Sequence, residues 1–222
     1  MNTVIYKASN ESIQELVDKA LAKYGNEVDL NFIDVSEVTN FGYLFASSNF
    51  NGDISNWNTS KVTEMEYMFH ESRFNGDISN WDVSNVTDMN STFERSVFNG
   101  DVSNWDVSSL IHAPYLFSRS VFNKDISRWN TAKLQSAEYM FARSCFNKDI
   151  SDWNTSNLKD VFCMFKSAVT TNQHGKWDLS NAVNHGDFYE NTDYSGPFLD
   201  EYYINGVTSD CSEYKKYVLG LL

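Results

Sequence analysis

The sequence predicts a repeat solenoid of about seven 24-residue turns, and three observations lead to this prediction. A nine-residue signature, F-N-[GK]-D-[IV]-S-x-W-[ND], recurs five times at one fixed period. The five copies follow one another without insertion and open at Phe50, Phe74, Phe98, Phe122 and Phe146. Weaker copies precede and follow them, at Ile33-Asp34-Val35-Ser36 and at Trp177-Asp178-Leu179-Ser180. A fixed period with degenerate terminal copies is typical of stacked repeats, whose end units each lack one neighbour.

Residues 1–29 are predicted to form an N-terminal cap that closes the first turn. Ser12 and Glu15 have the spacing of a capping box, and apolar residues recur at helical spacing from Ile13 to Tyr24. Gly25 follows, as expected after the last turn of a helix. The cap is therefore predicted to contain one amphipathic helix, with a short strand over residues 3–6 beside it.

The repeats are predicted to occupy residues 30–191. Within one copy the apolar residues are irregularly spaced, which fits neither a long helix nor sustained strand alternation. In the second copy these residues are Phe74, Ile78, Trp81, Val83, Val86, Met89 and Phe93. Such spacing suits a solenoid turn, and we expect a short parallel strand over residues 86–89 and a short helical or 3₁₀ segment over 91–95.

Two polar columns recur with the frame. Asparagines at 51, 75, 99, 123 and 147 are expected to form an amide ladder, each side chain donating to the next. Aspartates at 53, 77, 101, 125 and 149 are expected to accept backbone N–H groups in their own corners. A row of calcium sites is the alternative, but Lys124 and Lys148 replace the preceding glycine in later copies, which disfavours a hard cation.

A tryptophan column recurs at residues 57, 81, 105, 129, 153 and 177. Flanking inward Ile and Val residues favour a core position, with each indole N–H bonded to a neighbouring corner. A platform that stacks sugar rings is the alternative interpretation of an aromatic row.

The charge and the apolar pattern limit the classes of partner. The formal net charge of −13 on 222 residues disfavours direct nucleic-acid binding and attracts basic partners. The chain has no apolar run long enough to span a membrane, and Met1 to Lys7 does not resemble a signal peptide. As written, the sequence therefore predicts a cytoplasmic protein without membrane association. A fragment of a longer protein would instead fit the cell surface or an extracellular location.

Catalytic and metal-binding motifs are not recognisable in the sequence. Its four histidines lie at different repeat positions, although His174 and His185 could approach each other. The three cysteines, Cys145, Cys163 and Cys211, lack the paired spacing of a zinc site or a disulfide framework, and we expect reduced packing residues. The prediction is a non-enzyme without a metal or cofactor.

The repeat unit resembles a known family. FNGDISNWNTSKVTEMEYMF at 50–69 and FNGDISNWDVSNVTDMNSTF at 74–93 are similar to the bacterial surface protein repeat. This family is also described as BspA-like leucine-rich repeats or domain of unknown function 285, and the resemblance covers roughly residues 30–190. It implies a leucine-rich-repeat-like, right-handed solenoid without catalytic residues, of a kind often found on bacterial surfaces and in phage-related sequences.

A binding function is the leading expectation, because variable positions on a constant repeat frame are free to specialise. In the predicted strand these include Glu64, Asp88 and His112; a corner column adds Arg95, Arg119 and Arg143. Residues 192–222 are expected to be a C-terminal cap or an interaction segment, with Phe198, Tyr202 and Tyr203 as aromatic contacts. The expected partner is another protein, and the sequence leaves the oligomeric state open.

Two alternatives have different physics. In the first, the acidic solenoid imitates nucleic acid and inhibits a basic nucleic-acid-binding protein, such as a host or defence enzyme met by a phage or mobile element. In the second, the chain is a fragment of a bacterial surface adhesin. A mimic is expected to release its partner as salt rises, whereas an aromatic interface depends on salt only modestly.

Overall fold

The computed structural model describes residues 5–168 and 177–186. Strand β1 (Tyr6–Lys7) comes first, followed by helix α1 (Ile13–Tyr24) and strand β2 (Ile33–Asp34). β1 and β2 form a two-stranded parallel sheet, in which Tyr6 pairs with Ile33 and Lys7 with Asp34. The N-terminal segment is therefore tied by backbone hydrogen bonds to the first, degenerate copy of the repeat.

Helix α1 confirms the predicted helix and ends at Gly25, whose φ of 86° lies in the left-handed region that favours glycine. The helix buries Ile13, Val17 and Ala20 against the core that begins at Leu30. Its capping differs from the prediction, because the Ser12 hydroxyl accepts the Ser9 N–H at 2.9 Å and makes no cap hydrogen bond.

Equivalent residues of successive copies lie next to one another. Seven residues, spaced 24 apart, form a continuous series of isolated parallel bridges: Asn40, Glu64, Asp88, His112, Ser136, Asp160 and Asn184. We call these residues the bridge column. Because each bridge joins one copy to the next in the same register, the period seen in the sequence is also the spatial period of the described residues.

Buried aromatic rings fill the interior in matching columns. Phe50, Phe74 and Phe98 have ring centroids 5.9 and 6.2 Å apart, with planes within 6° of parallel. A second phenylalanine column runs through Phe45 and Phe69, whose centroids are 5.6 Å apart. The rings are fully or almost fully buried. Identical side chains thus pack on their own copies, which explains why the core residues repeat so strictly.

The tryptophans belong to this core, as predicted. The indole N–H of Trp81 donates to the Ile54 carbonyl at 3.1 Å, and that of Trp105 donates to the Ile78 carbonyl at 3.1 Å. The same bond to a residue 27 positions earlier recurs in every tryptophan of the column. With Trp105 only 4% exposed, its ring face is not available as a sugar platform.

The polar columns stabilise the corners by two kinds of bond. The Oδ1 atoms of Asp53 and Asp77 accept the backbone N–H groups of Ser55 and Ser79 at 2.8 and 2.9 Å, as predicted. The asparagine ladder differs from the prediction: Asn51 Oδ1 accepts the backbone N–H of Asn75 at 2.8 Å, so side chain bonds to backbone. This arrangement satisfies one backbone N–H per copy, which a side-chain ladder would leave open.

The local structure of the repeat is less regular than predicted. The strand expected over 86–89 is reduced to the single bridge at Asp88, and residues 91–95 form turns in place of a helical or 3₁₀ segment. Ser91 and Arg95 have φ values of 52° and 55°, whereas a right-handed helix needs negative φ at every residue. The equivalent residues of the other copies have the same positive φ.

A hydrogen-bond alternation replaces the helix. The N–H groups of Ser91, Phe93 and Arg95 donate to carbonyls of the next copy at 2.9 to 3.0 Å. The intervening Thr92 and Glu94 donate three residues back at 3.2 Å. Every second N–H thus joins neighbouring copies, and two of these three donors, Ser91 and Arg95, have positive φ.

The cysteine prediction is correct at one of the two described positions. Cys163 is a buried thiol that takes part in no disulfide bond. Cys145 is also buried, but it is disulfide-bonded, so the prediction of a reduced thiol is wrong there. Cys211 lies outside the described residues.

Candidate functional site

The bridge column brings three of the predicted binding residues together. Glu64, Asp88 and His112 are consecutive members, each bridged to the next. Glu64 and His112 are exposed and Asp88 is half-buried. The carboxylate of Glu64 accepts the side-chain amide of Asn40 at 2.5 Å. The variable positions of the predicted strand therefore form one continuous line across the copies.

At three bridge positions the side chain accepts a hydrogen bond from the backbone N–H two residues further along the chain. Asp88 Oδ1 accepts the N–H of Asn90 at 2.8 Å, and Asp160 Oδ1 accepts the N–H of Phe162 at 3.0 Å. Asn40 makes the same bond to Gly42. Asp and Asn are thus interchangeable acceptors at this position. The residue two positions after His112 is Pro114, which has no backbone N–H to donate.

A column of tyrosines runs beside the bridge column, and it was not among the binding residues predicted from the sequence. Its members are Tyr43, Tyr67, Ser91, Tyr115, Tyr139 and Cys163. Tyr43 and Tyr67 stack with centroids 4.8 Å apart and planes 5° from parallel, and Tyr115 and Tyr139 stack at 4.7 Å and 9°. Tyr43 is 60% exposed and the other three are half-buried. We call these residues the tyrosine column.

Each tyrosine pair lies beside a pair of carboxyl groups. Burial raises the pKa of Glu66, and the neighbouring Asp88 and Glu64 raise it further. Burial likewise raises the pKa of Glu138, with Asp160 as its acidic neighbour. Both glutamates are half-buried. A partner that brought positive charge to these pairs would relieve the repulsion between the carboxylates.

The tyrosine hydroxyls belong to the same environment. Burial, with the charge of the nearby Glu138 as a smaller cause, raises the pKa of Tyr115 to about 12. Burial also raises the pKa of Tyr139, and a hydrogen bond with Cys163 raises it further. These tyrosines stay neutral at physiological pH, so they present hydroxyl groups and ring faces without charge of their own.

The predicted arginine column is partly neutralised within the molecule. Arg95 Nη1 lies 2.6 Å from Glu71 Oε1, one copy away. The charge of Arg95 also helps to lower the pKa of Glu94, as a smaller cause than the hydrogen bonds of that carboxylate. Arg119 and Arg143 are half-buried and also engaged with other groups.

A small polar cluster lies where Ser91 interrupts the tyrosine column. Its hydroxyl donates to Glu94 Oε2 at 2.9 Å, and His70 Nδ1 lies 3.5 Å from the same oxygen. Burial acts to raise the pKa of Glu94, but His70 and Ser91 outweigh it and hold the pKa below the usual value. A signal for this cluster was in the sequence, because Ser91 departs from the tyrosine column and His70 and Glu94 share one repeat column that varies between copies.

Within residues 5–168 and 177–186, no group of three or more His, Cys, Asp or Glu side chains is placed to hold a metal ion. Over the same ranges, no helix combines the length and apolar character needed to cross a membrane. Phe198, Tyr202, Tyr203 and His174 lie outside the described residues.

The residues described above define a repeat protein whose variable side chains are displayed in columns. The family described as Mycoplasma protein of unknown function, DUF285, matches residues 11–121 and again residues 98–200. These two overlapping matches span most of the chain, and the protein belongs to this family. No match was found among curated proteins or among solved structures.

Proposed function

We propose that the protein is a leucine-rich-repeat-like, right-handed solenoid of the BspA-like type that binds another protein and catalyses no reaction. The series of parallel bridges at a 24-residue spacing supports the solenoid. The binding surface consists of the bridge column and the tyrosine column, with Arg95, Arg119 and Arg143 at one side. We include Phe198, Tyr202 and Tyr203, which lie outside the described residues, among the proposed partner contacts.

The contrast between constant and variable columns is the observation that carries this proposal. Core columns repeat one residue type and are buried, as in the phenylalanines and tryptophans. The bridge column changes from copy to copy while its backbone bridges stay the same. A surface whose side chains vary on a fixed frame is the usual recognition surface of repeat proteins. Partly exposed tyrosines are typical contact residues of such interfaces.

The test is affinity capture with two charge-matched variants. The face variant carries Glu64→Asn, Asp88→Asn and His112→Ser, each taken from another copy at the same position. The control variant carries Asp77→Asn and Asp101→Asn, which remove the same number of negative charges from a different column. Lysate of the source organism is passed over each protein and the bound proteins are identified by mass spectrometry. We expect a partner that the wild type and the control retain and the face variant loses.

Equal capture by all three proteins would contradict binding through this surface. Salt and nucleic acid separate the nucleic-acid mimic from the leading proposal. The net charge of −13 and the regular aspartate column favour the mimic as the second candidate. A mimic's partner would elute at moderate salt and be displaced by DNA, because its basic groove binds phosphates in the same way. A partner held by tyrosine contacts would persist through the salt steps.

A further inference from the structure

Two equivalent surface sites lie three copies apart on the candidate binding surface. The first tyrosine site consists of Tyr43, Tyr67, Glu66 and Asp88. The second tyrosine site consists of Tyr115, Tyr139, Glu138 and Asp160, and each of its members lies three periods after its counterpart. Between them, Ser91 takes the tyrosine position and is buried. The surface therefore presents the same arrangement twice, with a gap in the tyrosine column.

Each site has the features that bind a cationic side chain. The rings of each pair stack at 4.8 and 4.7 Å, and the backbone N–H groups of Tyr43 and Tyr115 donate to the carbonyls of Glu66 and Glu138 at 3.0 and 2.9 Å, which places an acidic residue next to each ring pair. A guanidinium or ammonium group is attracted both by an aromatic face and by carboxylates. The carboxyl groups are not committed to internal cations by any ion pair seen among the described residues, since the ion pairs there involve Glu15, Glu37, Glu71 and Glu94.

The repeat geometry sets the distance between the sites. Neighbouring strands lie about 4.8 Å apart, so three copies separate equivalent points by about 14 Å. An extended peptide advances about 3.4 Å per residue and turns alternate side chains to one face. Residues four apart in such a peptide lie about 14 Å apart on the same face. Residues two apart span only about 7 Å and cannot reach both sites.

We propose that the two tyrosine sites together bind an extended, basic protein segment that carries cationic side chains four residues apart. This inference rests on the proposed function and names the chemistry of its partner. The charge of the whole molecule favours the same partner, because a net charge of −13 attracts basic segments before contact. Engaging both sites makes the second contact intramolecular, which raises the affinity above that of either site alone.

The test compares two synthetic peptides of equal length and charge, titrated into the full chain by fluorescence anisotropy. Both carry two arginines in a Gly, Ser and Thr background, either four or two positions apart. We expect the four-position peptide to bind about tenfold more tightly, because only it reaches both sites. Similar affinities for the two peptides would overturn the inference.

Two double variants provide the matched comparison. Asp88→Asn with Asp160→Asn removes one carboxylate from each site and keeps the N–H acceptor that Asn40 supplies in the first copy. Asp77→Asn with Asp149→Asn removes the same charge from another column, at the same separation of three periods. The first variant is expected to lose the preference for the four-position peptide, and the second to keep it. An equal loss in both would reduce the effect to overall charge and overturn the inference.

Tyr67→Ser with Tyr139→Ser tests the aromatic part, using the residue that position 91 already has in the same left-handed region of φ. Loss of the preference in this variant, with unchanged circular dichroism, supports the inference, and full retention contradicts it. The outcomes also separate the two proposals. If the peptides show no preference while a captured protein is lost by the face variant, the binding function stands and the basic-segment inference fails.

Discussion

At the scale of single residues, glycines at one repeat position have unequal roles. A Cβ atom at Gly52 would lie 1.9 Å from the backbone oxygen of Val28, which cannot move without shifting the chain. At Gly100 the nearest atoms belong to the ring of Phe98, at 2.7 Å. Later copies have Lys124 and Lys148 at this position, so the repeat can accommodate a larger side chain there.

The substitution Gly52→Ala is therefore expected to be much more destabilising than Gly100→Lys. Overpacking against a fixed backbone atom costs about 2 kcal/mol or more, whereas a change that the repeat already contains costs less than about 1 kcal/mol. Equilibrium urea unfolding of both variants measures the difference. If both lose the same stability, the close approach of Val28 is not what requires glycine at position 52.

A second prediction concerns the pH dependence of Glu66. Its pKa is raised, chiefly by burial, so its stabilising contribution is present below the pKa of the unfolded chain and is lost as the pH rises through the folded value. At pH 7 the charged form is unfavourable. Glu66→Gln is therefore expected to increase the free energy of unfolding at pH 7, with a difference that shrinks toward pH 4.

Asp77→Asn is the control with the opposite sign. Hydrogen bonds from Ser79 lower the pKa of Asp77, so its contribution is present above the unfolded pKa and is lost as the pH falls. This variant is expected to be less stable than the wild type at pH 7, by an amount that diminishes at low pH. Urea titrations from pH 7 down to about pH 2 measure both trends, since the folded pKa of Asp77 lies below its usual value, and trends of the same sign would contradict the assignment.

At the scale of elements, the sequence predicted what depends on repetition and burial. The 24-residue frame and the buried tryptophan column followed from the recurring signature, and the helix from Ile13 to Tyr24 followed from apolar spacing and its flanking residues. The turns over 91–95 did not, because their positive φ values occur at Ser, Tyr, Glu and Arg residues, which have no special preference for that region. Inter-copy hydrogen bonds compensate for this strain, and such bonds are a tertiary effect.

The candidate site likewise contains residues that the sequence predicted and residues that it did not. Glu64, Asp88 and His112 were predicted from their variability within a fixed frame. The tyrosine column and the pairs with Glu66 and Glu138 were missed because two half-buried columns had to be combined, and distances between columns do not follow from residue spacing. The ion pair of Arg95 with Glu71 likewise joins neighbouring copies.

The cost of replacing a tryptophan is expected to depend on its place in the tryptophan column. Trp105→Phe removes an indole N–H that donates to the Ile78 carbonyl and leaves a small cavity in the middle of the column. The Ile78 carbonyl still accepts a hydrogen bond from the Trp81 backbone N–H, so the free energy of unfolding is expected to fall by about 2 kcal/mol. Trp177→Phe, at a half-buried end position, is expected to lose less than half as much. Equal losses in urea unfolding would indicate that depth within the column does not matter.

At the scale of the whole molecule, contacts between described copies join nearest neighbours. The bridges, the ring stacks and the Asn ladder each connect residues about one period apart. Stability in such an arrangement is close to a sum over copies and their interfaces. The surface sites inherit the same geometry, so the number of copies between them sets their separation.

Removing one complete period tests both consequences. Deletion of residues 91–114 joins Asn90 to Tyr115, which has the repeat position of Ser91, keeps every member of both tyrosine sites and places Tyr67 next to Tyr115. The shortened chain is expected to unfold cooperatively at a lower temperature, with its near-ultraviolet circular dichroism retained. Deletion of residues 91–113, one residue out of phase, is expected to lose that signal because every inward side chain changes its neighbour. The in-phase deletion also brings the two tyrosine sites to about 10 Å, so its preference for the peptide with arginines four positions apart should disappear. A preference that survives the deletion would mean that the distance between the sites does not select the partner.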